Sequence, residues 1–239
     1  MEAARPPADR ISVGGVISEA FSIYTQNAGA LLGAAAAVFV IVGLASGLLQ
    51  SAGGVILGLL AGIVRLVGYA IFIGFVVRLV QDVRDGRRDH SVGDLFSAAT
   101  PTILPLIGFG ILFGLGVGIG FILLIVPGLV LLTFWSVGAP AIVVERVGTV
   151  DAFGRSWRLV RGDAWSVFAT LLVTLLIVIA IGFVLAAIAT PIGDGEAATW
   201  IAAIVSSIIT APIYALVASV LYFDLGGGES AAGAEPASV

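Results

Sequence analysis

Apolar residues fall into six long stretches, at about 29–50, 54–81, 102–125, 127–146, 164–189 and 197–223, with charge confined almost entirely to the segments between them. Each is close to the roughly 20 residues that carry a helix across about 30 Å of hydrocarbon at about 1.5 Å per residue. Runs such as Phe121-Ile122-Leu123-Leu124-Ile125-Val126 do not alternate between apolar and polar positions, as a membrane-spanning strand would require. The pattern therefore predicts six transmembrane helices, the second long enough to tilt or protrude. Turns are expected at Gln50 to Gly53, at Pro127-Gly128 and at Thr190 to Thr199, none of which contains an arginine.

Three shorter segments have a different periodicity. From Thr149 to Gly162, about 100° per residue sets Val150, Phe153, Trp157 and Val160 on one face, with Arg155 opposite, Arg158 on the flank and Arg161 near the apolar edge. Thr149 is suited to cap this helix, Asp151 to its first turn and Gly162 to its stop. Such a helix lies flat at the headgroups rather than forming a solvated loop, with Trp157 in the interface and its arginines toward anionic lipid. Ser91 to Ala99 is similar. Ser91 and Asp94 have capping-box spacing, and Val92, Leu95, Phe96 and Ala99 form the apolar side. Ser12 to Asn27 repeats the theme with Val13, Val16, Ile17, Ala20, Phe21 and Tyr24. Aligning Ser12 to Ala20 with Ser91 to Ala99 leaves several identities. Either the chain holds three units of interfacial helix plus two-helix hairpin, or small common residues match by chance.

Charge adds an orientation. The chain has eleven basic residues, all arginine. Arg5 and Arg10 lie in the N-terminal tail, Arg78, Arg84, Arg87 and Arg88 at one long connection, and Arg146, Arg155, Arg158 and Arg161 at another. Only Arg65 falls outside this set. Basic residues stay in the cytoplasm, so these connections and both termini are expected there, in a protein of the cytoplasmic membrane. The opposite side carries Asp194 and Glu196. No cleavable leader is expected ahead of the first span.

Composition narrows the chemistry. The 239 residues are 59% hydrophobic and 11% charged, against roughly a quarter charged in a soluble domain. With no cysteine, disulfides, thiolate metal sites and cysteine nucleophiles are excluded. The lone His90 sits in an arginine- and aspartate-rich loop, which argues against a histidine triad or metal cluster. No acidic pair lies within a span, and the absence of lysine rules out a serine–lysine dyad. No catalytic set, cofactor site or metal site is expected, and nothing points to nucleic acid.

What remains is sparse. Arg65 is the one ionisable residue deep in a span and is a site candidate by default, with Tyr69 one turn away. It could instead snorkel outward or bond backbone carbonyls. The third span carries small-xxx-small glycine pairs at 110/114, 114/118 and 116/120, read as tight hairpin packing in preference to a hinge. Pro140 and Pro212 predict kinks. Glu145, Arg146 and Asp224, at span ends, are expected to pair with interfacial charges.

From Val126 to Phe168 the chain is more distinctive. Pro127-Gly128 is followed by Ala139-Pro140-Ala141-Ile142-Val143-Val144-Glu145-Arg146-Val147-Gly148, and then by Ala152-Phe153-Gly154-Arg155-Ser156-Trp157-Arg158-Leu159-Val160-Arg161-Gly162-Asp163-Ala164-Trp165. This resembles the membrane domain associated with some glycerophosphoryl diester phosphodiesterases and related multi-span proteins. The segments Val16 to Tyr24 and Tyr222 to Leu225 are similar to that family too, although Gly226 to Gly228 stand where the family continues with a basic residue. The resemblance implies a six-span module and not the phosphodiesterase activity, because the soluble catalytic domain has no counterpart here.

The sequence thus predicts an all-α polytopic membrane bundle with three cytoplasmic interfacial helices. The expected organisation is a tail over 1–11, a membrane domain over 12–225 and a disordered tail over 226–239. The expected role is non-enzymatic: organising lipid or partner proteins, with Arg155, Trp157, Arg158 and Arg161 meeting anionic headgroups. The alternatives are a transporter or channel and an accessory subunit of a lipid-phosphodiester enzyme. A water-filled cavity reaching Arg65 would favour transport, and a closed, dry bundle the scaffold.

Overall fold

The computed structural model describes residues 11–86, 92–189 and 196–228. The expectations for Arg5, Arg10, Arg87, Arg88, His90, Ser91, Asp194, the Glu196 side chain and the tail after 228 lie outside them. All regular structure among the described residues is helical. In chain order the helices are α1 (Val13–Gln26), α2 (Ala28–Ser51), α3 (Val55–Arg84), α4 (Val92–Ala99), α5 (Ile103–Leu123), α6 (Ile125–Trp135), α7 (Gly138–Glu145), α8 (Thr149–Val160), α9 (Ala164–Ala189) and α10 (Glu196–Asp224).

Six units are long and apolar enough to cross a membrane: α2, α3, α4 with α5, α6 with α7, α9 and α10. Their outer faces remain apolar. In α9 only 6% of the most apolar window is buried, and Ile56, Leu104, Ile122 and Phe183 are each about three-quarters exposed or more. In water such a surface would aggregate; in hydrocarbon it is solvated. The chain is a multi-pass membrane protein. Short helix α1 precedes the pair α2 and α3, α8 precedes the pair α9 and α10, and α4 runs through a single turn into α5 as part of the third span.

Span boundaries follow the apolar pattern closely, but two turns shift for backbone reasons. The α5–α6 turn falls at Leu124, whose φ of −164° and ψ of 153° are extended, and not at Pro127-Gly128. Pro127 instead occupies the first turn of α6, where a missing N–H costs nothing. Gly128 serves the close approach of the hairpin. A Cβ there would lie 2.6 Å from the Phe121 ring, and one at Gly120 would lie 2.9 Å from Gly128 Cα. Of the predicted glycine pairs, the face of Gly116 and Gly120 is the one pressed against α6; Gly114 and Gly118 face open space. The second shift is at the C-terminal end. Gly226, at φ 79°, lets the Gly227 N–H reach Tyr222 O at 2.9 Å and the Gly226 N–H reach Phe223 O at 3.0 Å. This two-bond stop closes α10, so residues 226–228 are an ordered helix cap where a disordered tail was expected.

The short helices turn their apolar faces inward rather than toward lipid. In α1, Val16, Ala20 and Ile23 are buried, and the Tyr24 hydroxyl donates to Ile209 O in the turn before Pro212. Burial also raises the Tyr24 pKa. In α4, Leu95 and Ala99 are buried and Phe96 stacks on Phe75 at 4.7 Å. In α8 the buried strip is Ala152, Ser156 and Val160, while Val150 is 72% exposed. The predicted face was displaced because small residues fit the closest approach to the spans, while larger Phe153 and Trp157 pack at its margins. Buried hydroxyls within spans bond their own helix: Thr174 donates to Thr170 O and Ser219 to Ala215 O.

Overpacking the α5–α6 contact will be costly. Gly120→Leu is expected to lower stability by about 1–3 kcal/mol, read as an earlier thermal transition in detergent, whereas Gly118→Ala leaves the transition unchanged.

Candidate functional site

The polar residues gather at two places: the arginine-rich end of the bundle, and a groove near the middle of the spans. At the first, the break in the fourth span sets the geometry. Pro140 cannot donate to Ser136 O and its ring crowds that carbonyl, so the helix stops at Trp135 and resumes at Gly138. This leaves Phe134 O and Val137 N–H without partners inside the span. Ser156, on α8, supplies both: its hydroxyl donates to Phe134 O at 2.7 Å and accepts from Val137 N at 3.3 Å. Ser156 is fully buried. Around it Trp157 stacks on Phe134 at 4.0 Å and Phe153 on Phe109 at 4.6 Å. Thr149 does not cap α8 as expected; Gly148 occupies that position, and the Thr149 hydroxyl donates to Pro105 O on α5.

Two charged clusters lock the same end. Glu145 closes α7 and accepts from Arg155 Nε at 2.9 and 2.8 Å, one bond to each carboxylate oxygen. Arg155 Nη2 adds a contact at 2.8 Å, and the Tyr222 hydroxyl on α10 donates at 2.7 Å. The carboxylate beside it holds the Arg155 guanidinium above its usual pKa. Arg155 is therefore turned into the bundle and not out to headgroups, its side chain only 17% exposed. The second cluster centres on Arg84, which pairs with Glu19 on α1 and Asp224 on α10 at 2.7 Å each and lies 5.3 Å from the Phe223 ring centroid. Arg78 joins α3 to α7 by donating to Val143 O at 2.7 Å, one of the last carbonyls of that helix. The pairing expected of Glu145 and Asp224 is thus present, and its partners are specific.

The other candidates on α8 remain at the surface. Arg158 and Arg161 are exposed, and Trp157 is 43% exposed while stacked on its inner face. The set Arg155, Trp157, Arg158 and Arg161 therefore divides into one structural clamp and three residues at the rim.

Arg65 and Tyr69 line a cavity of about 310 Å³ between α2, α3 and α10. Arg65 Nε donates to Ser46 Oγ at 3.1 Å. With its amide oxygen turned toward the guanidinium, Gln50 accepts from Nη1 at 3.1 Å and Nη2 at 2.7 Å. Neither neutral acceptor was foreseen: both lie on α2, and only the hairpin geometry brings them level with Arg65. Tyr69 stands edge-on to Phe39, with ring centroids 5.1 Å apart. No group of three or more metal-ligating side chains occurs among the described residues.

A family model described as a domain of unknown function (DUF7847) matches residues 48–225. No curated protein and no solved structure matches.

The clamp gives a direct test. Arg155→Gln should cost about 2–4 kcal/mol, because Glu145 is left largely buried without its cation. The Glu145→Gln/Arg155→Gln double variant should recover part of that loss, read as the shift in thermal unfolding of each purified variant.

Proposed function

We propose, for a chain that belongs to the DUF7847 family, a non-enzymatic module of the cytoplasmic membrane with both termini in the cytoplasm, whose arginine-rich end organises anionic lipid or partner proteins. The observation that carries this reading is the division of the α8 residues. Arg155 and Ser156 fasten the helix to the spans, and Trp157, Arg158 and Arg161 are left at the rim. A basic helix held rigidly there meets anionic headgroups without a further ordering cost, each arginine near the surface contributing about 1 kcal/mol. The inward-turned α1 and α4 support the same arrangement, since they thicken this end into a platform. The orientation rests on the arginine distribution.

Transport of a lipid-like solute is the second reading, supported by the cavity at Arg65. Service to a lipid-phosphodiester enzyme draws only on the resemblance of Val126 to Phe168 to membrane domains associated with such enzymes.

Two measurements test the proposal. The chain has no cysteine, so single-cysteine variants report topology directly. Gly162→Cys should react with an impermeant maleimide only after the membrane is opened, and Ala52→Cys should react in intact cells. The reverse result overturns the orientation. In native mass spectrometry, Arg158→Gln/Arg161→Gln should bind phosphatidylglycerol about thirtyfold more weakly than the parent, as expected for two surface charges. Unchanged retention would remove the lipid role of α8.

A further inference from the structure

Burial along the spans is uneven. On α3 nearly every residue from Phe72 to Val80 is buried, but from Val55 to Leu60 none is. On α10 the buried residues run from Ala211 to Tyr222, and on α9 the exposed large apolar residues cluster from Leu172 to Ile188. Along α3, α9 and α10, side chains are more buried toward the arginine-rich end than toward the other. Arg65 stands where the packing thins, about 15 Å into α3 from its start and about 20 Å from Arg78. It is exposed on the flank of the helix, in the groove between α2, α3 and α10.

A cation in this position costs about 2.5–3.5 kcal/mol at the centre of an isolated inserted helix. Ser46 and Gln50 relieve part of this through hydrogen bonding, but both are neutral. Of five guanidinium N–H donors they engage three, leaving two, and no carboxylate pairs with Arg65 among the described residues. The Tyr69 hydroxyl lies in the same groove and has no protein partner among the described residues. Ser207 on α10 completes the polar lining, and Phe39 and Trp200 supply apolar wall. Around the groove the flanks of the spans are aliphatic, with Leu44, Leu48, Ile63 and Ile201 all more than half exposed.

We propose that this groove is a docking site for one anionic phospholipid of the leaflet away from the arginine-rich end. Its phosphate would take one of the two remaining Arg65 N–H donors, on the edge that faces the groove, and the Tyr69 hydroxyl, and its acyl chains would lie along α2, α3 and α10. Charge complementarity selects the occupant. A charge-assisted hydrogen bond from the guanidinium suits a phosphate oxygen, and a lipid supplies the negative charge at this depth without a water-filled path. The volume, about 310 Å³, is at the low end of the range for ligand cavities and holds a headgroup, not a whole lipid. The site is separate from the α8 rim and stands or falls apart from it.

The test is lipid titration of the purified full chain by native mass spectrometry, using vesicles of phosphatidylglycerol or phosphatidylcholine. The parent should hold one phosphatidylglycerol that Arg65→Gln binds at least about tenfold more weakly, while Arg65→Lys loses less. Ala203→Phe, which fills the groove while keeping the Arg65 charge, should release the lipid as well and keeps the test available if Arg65→Gln does not fold. Arg158→Gln/Arg161→Gln should leave this one lipid in place. Unchanged retention by Arg65→Gln and Ala203→Phe overturns the site. Equal retention of phosphatidylcholine, or saturation of the site by inorganic phosphate alone, overturns the anionic lipid as its occupant.

Discussion

The Glu145 carboxylate is the point on which the arrangement of this membrane protein turns. Between lipid-solvated helices there is no hydrophobic force to drive association, because the tails outside are as apolar as the side chains within. Specific polar contacts and close packing must supply it. Glu145 joins α7 to α8 through Arg155 and to α10 through Tyr222. Arg84 does the same for α1, α3 and α10. All these elements meet at one end, and the tight core lies directly beneath them.

From this follows the uneven packing. Where the clamps act, helices approach closely enough to bury aromatic and branched side chains. Away from them fewer side chains are buried and more of each span's surface passes to the lipid. The groove at Arg65 sits on the boundary between these regimes. The same contrast separates the arginines. Those with acidic partners are parts of the framework, and those at the rim of α8 or in the groove have charge to offer to something else.

The membrane class and all six spans could be read from the apolar runs, since a helix in hydrocarbon must satisfy its own backbone and so betrays itself by length alone. Pro140 announced the break in the fourth span, although Pro212 leaves α10 continuous. Less visible were contacts that join distant residues. Ser156 looks like an unremarkable position on an amphipathic helix until Pro140 frees two backbone groups beside it. Arg155 sits on the polar face of α8 by periodicity, yet Glu145 draws it inward. Ser46 and Gln50 carry no sequence signal as partners of Arg65. Periodicity also misassigned the inward face of α8, because Ala152 and Ser156 weigh little on a hydrophobicity scale but fit where helices come closest. The family match begins at residue 48 and ends at Leu225, so it takes in two of the three clamped carboxylates, Glu145 and Asp224, but not Glu19.

The repair of the fourth span by Ser156 also imposes an order on biosynthesis. Phe134 and Val137 emerge from the ribosome with a carbonyl and an amide that their own segment cannot satisfy, and the hydroxyl that satisfies them follows nineteen residues behind Val137. The nascent span is therefore unfinished when it first meets the membrane. It is completed only when the next stretch of chain, too polar to enter the bilayer, folds back against it.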